Sequence, residues 1–140
     1  LGDVYKRQIP HIFKRMSILA VSIDGATKDT YEKLRLGGSW DKINSNLNCM
    51  ADAKQKLEFQ FILHFVVQRE NYHEMEDIIE LGRQYGADRV WLNRITDWQT
   101  FTDFNWHDVV APEHPEHNDF QDQFARIKTT DNFVEYDTLE

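Results

Sequence analysis

Cysteine is nearly missing from this 140-residue chain, which carries Cys49 alone. A lone thiol excludes an internal disulfide framework and fits a reducing compartment. Positive charge is also scarce, with 16 Lys and Arg against 24 Asp and Glu and a formal net charge of -8. That balance disfavours a general grip on nucleic-acid phosphates, and Lys54, Lys56 and Arg94 form no basic stripe. Long apolar runs are absent too. Ile18 to Ile23 is broken by Ser22, and Phe61 to Val67 is broken by His64; both fall far short of the roughly 20 residues a membrane span needs. No secretory signal pattern and no internal repeat is found, so the expectation is a cytoplasmic protein with neither membrane nor nucleic-acid partners. What is present suffices for one domain: 41% apolar and 13% aromatic residues can build a core.

Pro10 followed by Ile12, Phe13 and Met16 suits the tail of a helix, and Ile18 to Asp24 reads as a buried parallel strand. Thr27 can cap a brief helix carrying Tyr31 and Leu34, which Gly37 and Gly38 stop. Ser39 then caps a longer helix in which Trp40, Ile43, Leu47 and Met50 recur at helical spacing. Cys49, beside Met50, is expected to be a small core or boundary residue. Leu57 to Gln68 is the second strand. Asn71 with Glu74 forms a capping-box-like start for a helix bearing Tyr72, Met75, Ile78, Ile79 and Tyr85, and Gly86 stands where a left-handed residue is wanted. Glu76, Asp77 and Glu80 read as its solvated face. Arg89 to Ile95 is the third strand. Strands alternating with helices predict an α/β fold with a parallel sheet and right-handed crossovers. From Thr96 the pattern loosens into a loop with Trp98, Phe101, Phe104 and Trp106, which covers an open site or meets another domain. A short helix from Asn118 to about Ile127 follows, and Thr129 to Glu140 has weak periodicity.

Strand alternation puts Ala20, Ser22 and Asp24 on one face, Gln60, Ile62, His64, Val66 and Gln68 on one face of the second strand, and Trp91 with Asn93 on one face of the third. Ser22 and Asp24 therefore either satisfy backbone groups at a strand end or present a hydroxyl and a carboxylate to a ligand. His64 is either a hydrogen-bonded core residue or, with Gln68, a substrate-pocket residue able to move a proton. Arg35 is either a surface helix arginine or a two-donor fork for a carboxylate. His107, His114 and His117 lie among Asp108, Glu113 and Glu116, but Pro115 disfavours two ligands in one helical turn. This stretch is read as a polar loop, and no metal ligand is assigned.

Five pieces occur in order: Val21 to Gly25 (Ser-x-Asp-Gly), Thr27 to Arg35 (Thr-x-x-x-Tyr-x-x-x-Arg), Gly37 to Trp40, Phe65 to Asn71, and Val90 to Thr100. Over roughly residues 17 to 105 the chain resembles the second half of the radical S-adenosylmethionine (SAM) core. The resemblance implies a parallel (β/α) half of an incomplete TIM-like barrel with about three strands and outer helices. It implies SAM contacts through Ser22 or Asp24 at the ribose hydroxyls, Arg35 at the methionyl carboxylate and the backbone around Leu92 and Asn93 beside the adenine. It further implies a [4Fe-4S] cluster that cleaves SAM reductively to start hydrogen abstraction, fed by a reductant such as flavodoxin or ferredoxin. The substrate, whether small molecule, peptide or glycan, stays open, and no catalytic residue is assigned.

The family's C-x-x-x-C-x-x-C cluster loop is absent. Residues 1 to 8 read as adapter-derived sequence ahead of a gene fragment, residues 9 to 105 as a partial core domain, and residues 106 to 140 as a C-terminal loop, short helix and tail. On this reading the chain by itself is inactive. Two alternatives stand beside it: a cluster-free SAM- or peptide-binding α/β module, and a barrel hydrolase or aldolase using Asp24 and His64.

Overall fold

The computed structural model describes residues 17–128 and 132–139. The adapter-like segment and the expected helix tail at Pro10 to Met16 lie outside them. The elements run β1 (Ile18–Ser22), α1 (Lys28–Leu34), α2 (Trp40–Lys54), β2 (Gln60–Val67), a 3-10 turn (Tyr72–Glu74), α3 (Met75–Gln84), β3 (Arg89–Arg94), α4 (Phe104–His107), α5 (His117–Ile127) and β4 (Val134–Asp137). All four strands are parallel and their order in the sheet is their order in the chain. The weakly patterned C-terminal stretch thus supplies a fourth strand where three were expected. β4 is only four residues long, too short for its alternation to stand out in sequence.

Thr27 and Ser39 accept hydrogen bonds from the amides of Thr30 and Lys42, so both predicted caps form. Gly86, after α3, has φ +67°, the left-handed conformation a glycine adopts without steric cost. The capping box at Asn71 and Glu74 does not form. Asn71 makes no side-chain cap, and Glu74 turns instead toward the loop after β1.

In β2 the residues Phe61, Leu63, Phe65 and Val67 are fully buried while the alternate residues are exposed or half-buried. Burying a side chain of this size stabilises the fold by about 1.5–3 kcal/mol. These four share one core with Val90, Leu92 and Val134 from the other strands, Ile23 just after β1, Tyr31 of α1, Leu47 of α2, Met75 and Ile78 of α3, and Phe120 and Phe124 of α5. Helices α1, α2, α3 and α5 all bury side chains in this one core, as expected when parallel strands in simple succession are joined by crossovers of one hand. The opposite face carries no helix from the described elements packed into that core. Gly82 lets α3 lie close on the sheet, for a Cβ there would stand 2.5 Å from Val90 Cγ2. Cys49, expected at the core or its boundary, is exposed on α2.

Candidate functional site

The face opposite the helices of the core is ordered in rows, because parallel pairing sets residues of equal height side by side. One row runs Ser22, His64, Trp91, Glu135 from β1 to β4. Ser22 Oγ and His64 Nδ1 are 3.3 Å apart, and the His64 and Trp91 rings lie 4.9 Å apart, tilted by 37°. One step nearer the C-terminal strand ends, Val66, Asn93 and Asp137 form the next row. Asp24 joins it from just beyond β1, its Oδ1 accepting from the Val66 amide at 3.4 Å. The side chains proposed from alternation therefore do share one face.

Asn93 is half-satisfied. Its Nδ2 donates to the Arg94 carbonyl at 3.2 Å, whereas its buried Oδ1 has no partner, and neither does the buried Nε1 of Trp91. Unpaired buried polar atoms are costly and uncommon, so they mark a place where a ligand group gains by binding.

Arg35, at the C-terminal end of α1, sets its Nε 2.7 Å from Asp24 Oδ2. The contact is an ion pair by distance without the alignment of a hydrogen bond. The guanidinium thus compensates the Asp24 carboxylate. Its terminal nitrogens have no partner among the described residues.

Beyond the strand ends opens a cleft of about 420 Å³. Asp24 and Gln68 line it, together with Lys33, Glu70, Trp98, Phe101 and His107. Ser22, His64 and Asn93 sit on the same sheet face but outside the cleft wall, and Arg35 reaches it only through Asp24. Trp98, 77% exposed, stands at its edge, so the aromatic loop does border the site. Sequence reading left out Glu70 and Lys33 and weighed His107 only as a metal ligand. His107 Nδ1 is 2.9 Å from Glu70 Oε1 across 37 residues of chain, a pairing no local spacing announces. His114 is buried with Nε2 near the Trp106 carbonyl and Nδ1 accepting from the Glu116 amide. No group of three metal-ligating side chains occurs among the described residues.

The strand ends are held by two buried polar residues. Asn71, fully buried, donates to the carbonyls of Asp24 (3.1 Å) and Val66 (2.8 Å) and accepts from the Gln68 amide (2.9 Å). Glu74 accepts from the Ala26 amide (2.6 Å) and the hydroxyls of Thr27 (2.7 Å) and Thr30 (2.6 Å). Burial alone would push the Glu74 carboxyl up, but the hydrogen bonds from Thr30, Thr27 and Ala26 outweigh it and hold it below the usual carboxylate range. Farther out, Arg94 grips Asp108 with two bonds, 2.8 and 2.5 Å, tying β3 to the end of α4. The Asp108 hydrogen bond raises the Arg94 guanidinium above its ordinary value.

No helix among the described residues is long and apolar enough to cross a membrane. No protein-family model matches the chain, and no curated protein sequence matches it.

Proposed function

We propose that this chain is the C-terminal part of a radical SAM core and supplies the SAM-facing wall of a half-barrel. One observation carries the reading: the all-parallel sheet runs in simple chain order with no helix of the described residues in its core on one face, and that face holds Ser22, Asp24 and Asn93 toward its C-terminal end. A barrel is such a sheet continued until it closes, with helices outside and ligands at the C-terminal strand ends. A doubly wound sheet would instead reverse its strand order and place helices on both faces.

The residues present suit an adenosyl ligand. Asn93 Oδ1 is a buried acceptor without a donor, matching an exocyclic amine. Asp24 offers carboxylate oxygens to ribose hydroxyls, and Ser22 stands one row below. The open end of the Arg35 fork suits a carboxylate while its Nε side stays with Asp24. When bound beside a [4Fe-4S] cluster, SAM supplies the one-electron chemistry that starts hydrogen abstraction from substrate. The cluster requires thiolates that Cys49 cannot provide alone, so the chain's own part is to bind, orient and shield.

The test has two arms. Sequencing the coding DNA upstream of Ile9 is expected to show C-x-x-x-C-x-x-C in frame. Calorimetric titration of the purified chain with SAM is expected to show binding that Asp24→Asn weakens. Binding without upstream cysteines would leave a cluster-free SAM-binding module, and neither result would end the reading.

A further inference from the structure

The cleft contains a histidine and a carboxylate that the cofactor reading does not use. Glu70 is nine-tenths buried; its Oε1 lies 2.9 Å from His107 Nδ1, and its buried Oε2 has no partner. An ionised carboxylate only accepts hydrogen bonds, so Nδ1 carries the hydrogen of this contact. In the neutral ring the lone pair is then on Nε2, which has no hydrogen bond to any described residue. Glu70 thereby selects the tautomer, and its charge, not consumed by other partners, stabilises the imidazolium that forms when Nε2 takes a proton.

The imidazole is also held in place. The Phe101 ring lies 4.9 Å from it, braced in turn by Phe104 at 6.0 Å. The His107 carbonyl accepts from the Arg69 amide at 2.9 Å, and the next residue, Asp108, is clamped by Arg94. The other walls complete a chemical profile. Trp98 and Phe101 offer aromatic surface, Gln68 an amide, and Lys33 a cation to the same cleft, while Asp24 is already compensated by Arg35. Aromatic walls suit a planar apolar body, and a lysine suits an oxygen that becomes negative.

We propose that His107 is a proton acceptor for a phenol-class ligand bound in this cleft, with Glu70 as its positioning residue. The phenolic O–H bond breaks, its proton forms the Nε2–H bond of His107, and the electron pair remains on the phenolate oxygen near Lys33. The step needs no oxidant, and it does not rest on the cofactor reading.

The test uses the full chain and 4-nitrophenol, whose anion absorbs visibly, at a pH where the free probe is mainly protonated. Bound probe is expected to show the phenolate band. His107→Gln should lose that band and weaken binding about tenfold, the size of one lost hydrogen bond to a charged partner. Nitrogen-15 NMR of the wild-type imidazoles is expected to show His107 with hydrogen on Nδ1, and Glu70→Gln should shift the ring toward Nε2–H and reduce the phenolate fraction. Absence of probe binding, unchanged binding in His107→Gln, or an Nε2–H tautomer in the wild type would each overturn the proposal. The tautomer measurement needs no variant and holds even if a substitution unfolds the chain.

Discussion

The side-chain amide of Asn71 donates to the main-chain carbonyl of Asp24, 47 residues earlier, at 3.1 Å. With its bonds to Val66 and Gln68, this one residue joins the ends of β1 and β2 where the candidate site lies.

Asn71→Ala is therefore expected to destabilise the fold by roughly 2–4 kcal/mol, because two carbonyls and one amide lose their partner in a fully buried place. Asn71→Asp is expected to cost more, since its carboxylate would face the two carbonyls. Urea unfolding read by circular dichroism would measure both.

Glu74 predicts an acid dependence. Its folded carboxyl is held below the usual range, whereas an unfolded glutamate titrates near ~4.3. The stabilisation is thus complete above the unfolded value and disappears as pH falls through the folded one. Asp88 contributes with the same sign: burial raises it, but Lys54, the Phe61 amide and Arg89 hold it low. Urea midpoints for wild type and Glu74→Gln should therefore differ most at neutral pH and converge as the solution is acidified. A constant gap would contradict the assignment.

Two glycines separate backbone from side-chain crowding. A Cβ on Gly25 would lie 2.4 Å from the Tyr31 amide nitrogen and 2.8 Å from its Cα, neither of which can step aside. Gly25→Ala is expected to lower stability by about 3 kcal/mol, the upper end for overpacking, and to displace Asp24. At Gly82 the nearest atom is the Val90 side chain, and alanine regains about 1 kcal/mol of helix propensity. Gly82→Ala should lower the melting temperature less than Gly25→Ala does.

The SAM reading predicts an unequal pair of effects. Asp24→Asn should weaken SAM binding at least about tenfold, through loss of a charge-assisted hydrogen bond. Ser22→Ala, one row from Asp24 and already engaged with His64, should weaken it less. Calorimetry on the two variants checks the order, and equal affinities in all three proteins would count against a SAM wall here.

The α/β class, three of the four strands, the caps at Thr27 and Ser39, and the shared face of Ser22, His64 and Asn93 were legible because each depends on a short-range period. Alternation in a strand, apolar spacing in a helix and a capping hydroxyl are written within a few residues. β4 escaped because four residues hold too little pattern. The true partners of Asn71 and Glu74 escaped because a local capping motif looked sufficient, whereas both side chains reach groups 44 to 48 residues away. The Glu70–His107 pair, the Asp24–Arg35 pair and the cleft that Glu70, His107 and Asp24 line came only from tertiary structure. Sequence determined which residues share a sheet face; the succession of crossovers decided which ends, loops and charges meet there, since those distances are set by packing rather than by spacing along the chain.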